Sequence, residues 1–303
     1  QPGARMVGGR GVRLAPESGV REAELFVALE VDQGQPGLHA SGLVRVAAAV
    51  GLDDLRGLPG GLTQRDATLL DDDDVVRGER QLLLDDLVVQ RTPGRAVDPD
   101  RAARLLGERA MERFEARFRP DRAARQLMAR LALARALLGE HAWPEVDEQG
   151  QRRLVRDSAA GARSLGELFA RDWAALLRGQ LTFAQSRLLD EQLPERLRVP
   201  SGRWVALDYA ADQAPVLAVK LQELFGLQQT PRLARGRLPV TLHLLAPSGR
   251  PVQVTRDLAS FWRETYAEVR RDLRGRYPRH PWPEDPTRAE PTARTRRQLR
   301  RGR

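Results

Sequence analysis

Arginines and aromatic rings crowd one stretch of this chain. Arg263, Arg270 and Arg274 recur at spacings that put them on one line of a helix, and Arg276, Tyr277, Arg279 and Trp282 follow directly. A guanidinium offers charge and a planar fork to phosphates, while tyrosine and tryptophan offer faces on which bases stack. The pattern therefore suits single-stranded nucleic acid. Eight of the fifteen aromatic residues lie between Trp204 and Trp282. The same residues also fit a purely structural role. Glu264, Glu268 and Asp272 interleave with the arginines and can neutralise them across helix turns. Trp262 and Tyr266 fall on or beside the apolar side, and Trp282, between prolines, suits a staple for the terminal segment. Arg10 and Arg13 form a smaller basic candidate near the other end.

Other chemistries lack their residues. Cysteine is absent, which removes disulfides, thiolate metal sites and thiol nucleophiles, and agrees with a reducing, cytoplasmic setting. The single lysine, Lys220, has no glycine before it, so no phosphate-cradling Gly-Lys-Ser/Thr loop exists. There is no Gly-x-Ser-x-Gly elbow. His39, His141, His243 and His280 are too scattered for a metal pair. Gly9-Arg10-Gly11 starts like a dinucleotide loop, but Leu14 occupies the third glycine position. Carboxylates in a run such as Asp71-Asp72-Asp73-Asp74 alternate in direction and read as a solvated turn before Val75. His243, on an alternating strand, reads as structural, and His280 beside Arg279 is a poor general base. No catalytic residue, metal, cofactor or small-molecule substrate is expected of this chain itself. No apolar run is long enough to span a bilayer, so no membrane partner is expected. The N-terminal residues lack a signal-peptide core, and a start at Gln1 is expected of a fragment.

The net charge of +9 over 303 residues is uneven. Residues 288–303 hold seven arginines and one glutamate, so a nearly balanced body carries a basic tail that reads as disordered. An α+β chain is expected ahead of it. Residues 5–95 read as a β domain, with strands over 24–31, 43–47 and 81–89. Residues 96–193 read as a helical segment. Asp98-Pro99-Asp100 signals a helix start. Leu106, Ala110, Phe114 and Phe118 make one apolar stripe; Leu127, Leu131, Ala134 and Leu138 make another. Shorter helices are expected over 148–157, 165–177 and 183–192. Residues 194–287 read as mixed α+β. Two hairpins turn at Pro200-Ser201-Gly202-Arg203 and Pro247-Ser248-Gly249-Arg250, an equality that turn chemistry explains. A helix is expected over 216–225, stopped by Gly226. Another, over 258–273, buries Leu258, Trp262, Val269 and Leu273.

Several runs resemble a known family. They include Leu238-Pro239-Val240-Thr241-Leu242-His243-Leu244-Leu245, Arg256-Asp257-Leu258-Ala259-Ser260-Phe261-Trp262 and Leu273-Arg274-Gly275-Arg276-Tyr277-Pro278-Arg279-His280-Pro281-Trp282-Pro283. Together with Pro194-Glu195-Arg196-Leu197-Arg198-Val199 and Pro215-Val216-Leu217-Ala218-Val219-Lys220, they are similar to the C-terminal domain of the bacterial HrpB family of DEAH-type helicases. The likeness is dense over about 186–286 and looser upstream, where Gly9-Arg10-Gly11-Val12-Arg13-Leu14 resembles the entry to an OB-like region. The resemblance implies an OB-like domain, a helical segment and a terminal α+β domain that line or cap a nucleic-acid channel. The family's two RecA-like domains, which bind ATP and magnesium, are not in this sequence. Its nearest string to their Asp-Glu-x-His motif, Asp190-Glu191-Gln192-Leu193, lacks the histidine. ATPase chemistry is therefore expected of a parent motor in cis or trans, and the expected partners are that motor and single-stranded RNA. The competing expectation is a protein-interaction or regulatory module that does not grip RNA.

Overall fold

The computed structural model describes residues 3–32, 42–139, 142–210, 214–292 and 294. His39, His141 and most of the arginine-rich tail lie outside the described residues. The chain forms two compact units, one of residues 1–117 and 155–170, the other of 118–154 and 171–303. These units cut across the helical segment expected over 96–193.

In the first unit the strands lie in two sheets. Strands β1 (Gly3–Arg5), β2 (Gly11–Leu14), β3 (Phe26–Asp32) and β4 (Gly42–Ala49) take the order β1-β2-β4-β3, with β2 and β4 parallel. After a short helix α1 (Leu52–Arg56), strands β5 (Thr63–Leu70), β6 (Val76–Leu84) and β7 (Leu87–Gly94) form an antiparallel meander. The single strand expected over 81–89 is thus a hairpin. Asp85 adopts the left-handed region at φ 51°, a turn conformation that aspartate tolerates well. The Asp71–Asp74 run is the β5–β6 turn, closed by the Asp71 N–H donating to the Val75 carbonyl at 3.0 Å. Among the described residues, no group of acidic or histidine side chains could hold a metal ion.

Asp98 caps helix α2 (Pro99–Glu112) as expected, accepting from the amides of Asp100 and Arg101. Helix α3 (Phe114–Arg117) follows, and Leu106, Ala110, Phe114 and Phe118 are all buried. Residues 155–170 join this unit because their backbone pairs with the β5–β6 turn. The Val76 amide donates to the Arg163 carbonyl at 2.8 Å, and the Leu165 amide to the Asp74 carbonyl at 3.0 Å.

The second unit begins with α4 (Arg122–Leu137), whose stripe Leu127, Leu131, Ala134 and Leu138 is buried as the spacing predicts. Helix α5 spans Glu148–Asp157. The single helix expected over 165–177 is two, α6 (Leu165–Phe169) in the first unit and α7 (Trp173–Gly179) in the second, because Asp172 caps a new start by accepting from the Ala175 amide. Helix α8 (Phe183–Gln192) carries the chain to a five-stranded sheet, ordered β14-β13-β10-β9-β8. Its members are β8 (Arg196–Arg198), β9 (Trp204–Asp208), β10 (Val216–Lys220), β13 (Thr241–Leu245) and β14 (Pro251–Thr255). A small ribbon of β11 (Arg232–Leu233) and β12 (Leu238–Pro239) lies between them in sequence. Both expected hairpins form, with Gly202 and Gly249 at φ 83° and 89°.

The helix expected over 216–225 is a correction. Residues 216–220 are a central strand, parallel to β13 and antiparallel to β9, followed by a 3₁₀ turn, Leu221–Leu224. A short, valine-bearing apolar run buried by neighbours is read as a strand once its partners are present. The helix expected over 258–273 is also interrupted. Helix α9 (Leu258–Ser260) passes through a π turn, Phe261–Thr265, into α10 (Tyr266–Arg276). The extra residue rotates the register, so Phe261 is buried beside Trp262 while Val269 is only half-buried. The chain also stays tied down beyond 288, where a disordered tail was expected: Thr292 is buried, and its amide donates to the Gln222 carbonyl at 2.9 Å.

Candidate nucleic-acid interface

The C-terminal helix is anchored by rings on its inner side. Trp262 and Tyr266 meet edge to face at 5.2 Å between centroids, with Phe261 and Phe225 around them. The Trp262 indole N–H donates to the Leu227 carbonyl at 2.8 Å, and the Tyr266 hydroxyl donates to the Pro283 carbonyl at 2.9 Å. Burial raises the Tyr266 hydroxyl well above its ordinary range, which keeps it a neutral donor.

This packing divides the expected contact residues. Trp282 is only 4% exposed, and its indole N–H donates to the Tyr277 carbonyl at 3.0 Å, so it is a staple and offers no face to a base. Arg270 is half-buried; it donates to the Trp282 carbonyl and to Glu284 Oε1, each at 3.1 Å, and holds that staple in place. Arg276 pairs with Asp272 at 3.1 Å, and Arg263 lies 3.7 Å from Glu264. The half-buried Tyr277 shares a 2.7 Å hydrogen bond with the Ser248 hydroxyl in the β13–β14 turn. Arg274 and Arg279 are exposed and make no ion pair among the described residues. Arg10 and Arg13 are exposed in the first unit, on and beside β2.

The segment that carries Tyr277 and Arg279 reaches the end of β10. The buried His280 Nδ1 has no hydrogen-bond partner among the described residues. Desolvation, and then the charge of Lys220, pull the His280 ring below its ordinary value.

Two further features carry no sequence motif. A cleft of about 590 Å³ lies where α4 and α7 meet β8 and β9, lined by Arg122, Arg130, Arg178 and Arg196 among others. The Arg130 guanidinium is 1% exposed and fully used. It donates to the Leu193 carbonyl at 2.8 Å, Glu195 Oε1 at 3.0 Å and Asp190 Oδ1 at 2.6 Å, and Arg178 also pairs with Glu195. Its position was readable, because Arg130 falls inside the buried stripe of Leu127, Leu131 and Ala134. The second feature is Trp204, which is 61% exposed at the start of β9. The alternation Trp204-Val205-Ala206-Leu207 turns its ring away from the core.

The HrpB family model described as ATP-dependent helicase C-terminal matches residues 155–286. The chain carries an HrpB-type C-terminal domain. The ATP-dependent RNA helicase HrpB of Escherichia coli K12 is 32% identical over 299 residues, which cover 97% of this chain and 37% of that protein. A crystal structure of E. coli HrpB, described as a DExH-box NTPase, superposes with a TM-score of 0.63 at 32% identity over 97% of this chain and 37% of its own. A second crystal structure, of E. coli HrpB as a DEAH/RHA helicase, gives 0.54 at 30% identity over 92% and 35%. The mixed α+β architecture is therefore that of the HrpB C-terminal region, and the chain spans 37% of the length of the curated relative. No helix among the described residues is long and apolar enough to cross a membrane.

Proposed function

We propose that this chain is the accessory C-terminal portion of an ATP-dependent RNA helicase. It contributes single-stranded RNA binding and channel closure to a cytoplasmic RecA-like motor, supplied in cis or trans, that binds ATP and magnesium. The observation that carries this reading is the 97% coverage of the chain by a relative named as an RNA helicase. Arg274 and Arg279, which make no ion pair among the described residues, support a backbone contact, and the β sheets of the first unit, with exposed Arg10 and Arg13, suit an OB-like surface. A second reading, a protein-docking or regulatory module, is favoured by the pairing of Arg263, Arg270 and Arg276 with carboxylates.

Fluorescence anisotropy of the chain with a labelled oligoadenylate RNA at low salt tests the proposal. Arg274→Glu with Arg279→Glu should weaken binding about tenfold or more, with an unchanged thermal melt. No binding by the unaltered chain at tens of micromolar overturns RNA contact and leaves the docking module.

A further inference from the structure

The five-stranded sheet is partly open on one face, where Val216 and Thr241 are buried and Gln126 of α4 holds Asp208, and it is covered on the other. Val205, Leu207, Leu217, Val219, Leu242 and Leu244 are buried on that side. The alternate positions Trp204, Ala206, Ala218 and Val254 are exposed. Strand register places these on one face: Arg198 pairs with Trp204, Arg196 with Ala206 and Asp208 with the buried Val216, while His243 pairs with both Ala218 and Val254. Lys220 closes the same alternation on β10.

This face carries an unusual tryptophan. Trp143, Trp173, Trp262 and Trp282 are all buried, whereas Trp204 presents most of its indole to solvent. An exposed indole leaves apolar area in water that a stacked planar partner would cover. The two alanines keep the surface around it low. The cations are uncompensated: among the described residues Arg196, Arg198 and Lys220 make no ion pair, and Arg198 only donates to the Gly202 carbonyl at 3.4 Å. Asp208, the carboxylate at the matching position of β9, accepts from Gln126 and lies 3.8 Å from Arg122. Residues paired across antiparallel strands hold their Cβ atoms about 5 Å apart, so the Arg198 guanidinium can reach the phosphate of a nucleotide lying on Trp204. The basic cleft at Arg196 and Ala206 continues the surface at one margin.

We propose that the open sheet face binds single-stranded nucleic acid, with one base stacked on Trp204 and the strand's phosphates held by Arg196, Arg198 and Lys220. This deepens the RNA-binding reading above and rests on it. A polyanion with flat bases matches the surface in both charge and shape, and a folded acidic protein matches only the charge.

The test uses the intact chain and an oligoadenylate RNA. Because Trp204 is the exposed indole, RNA should quench the long-wavelength tryptophan emission and protect it from iodide. Trp204→Ala should lower affinity about tenfold by anisotropy with an unchanged melt, and Trp204→Phe should keep most of it. Arg198→Glu should weaken binding and flatten its salt dependence. Full-affinity binding by Trp204→Ala, or an indole still open to iodide in the complex, overturns this site and leaves RNA binding in place elsewhere. An unaltered chain that binds no RNA removes the underlying reading as well. Protection of Trp204 by self-association or by an added protein, with RNA leaving it open, makes the face a protein interface and overturns the proposal.

Discussion

The carboxylate of Glu223 is 1% exposed, yet its partner reaches it from solvent. Arg203 grips it at 2.6 and 2.9 Å through two nitrogens, and the Ser201 hydroxyl adds a third contact at 3.2 Å, which ties the first hairpin turn to the segment after β10. Removing the arginine strands a buried charge, whereas neutralising the acid does not. Arg203→Ala is expected to cost about 3 kcal/mol, the low end for a broken buried pair because water reaches its outer half. Glu223→Gln, which keeps the shape and the acceptor, should cost about 1 kcal/mol. Urea midpoints check the order, and the reverse order would contradict the burial argument. His280 supplies a pH effect with a defined sign. Its folded value is depressed, by desolvation first and Lys220 second, so the unfolded chain takes the proton more readily. Stability should therefore be full above the ordinary value of 6.5 and fall as the pH drops below it. His280→Gln should flatten that limb in calorimetric melts. At this scale the sequence conveyed residue type but not partner. Arg270 and Trp282 have the chemistry of RNA contacts, and only their geometry shows that they serve each other.

Among the elements, local signals were legible and distant ones were not. The apolar stripes that begin in α2 and α4 join residues only three or four apart, and the caps at Asp98 and Asp121 are local hydrogen bonds, so near-neighbour spacing locates them. Strand β10 needs β13, whose first residue is 25 positions further on, and its apolar run resembles a buried helix until that partner is placed. The π turn at 261–265 adds one residue, which no apolar spacing announces. Gly150 in α5 provides a sharp check. Alanine there would gain about 1 kcal/mol on helix propensity. A Cβ at this position would sit 2.1 Å from the Glu145 carbonyl oxygen, however, and that backbone cannot yield cheaply. Gly150→Ala is thus expected to lower the melting temperature, and a raised one would refute the close approach.

For the molecule as a whole, charge and architecture separate. The family and the α+β class were legible in the dense C-terminal motifs, while the grouping into two units was not, because residues 155–170 join the first unit through backbone bonds to the β5–β6 turn. The basic excess is concentrated after residue 287. Truncation after Thr292 should lower RNA affinity at low salt and reduce the slope of log affinity against log salt by roughly 0.7 per lost phosphate contact, leaving the fold intact. An unchanged slope would place the phosphate contacts in the body. Lys220 brings one more consequence. It is the only lysine of the chain, and it ends the central strand beside His280. Amine-directed crosslinkers and dyes thus find a single side chain to modify, apart from any N-terminal amine. A neighbour captured through it would be mapped to that strand without cysteine engineering.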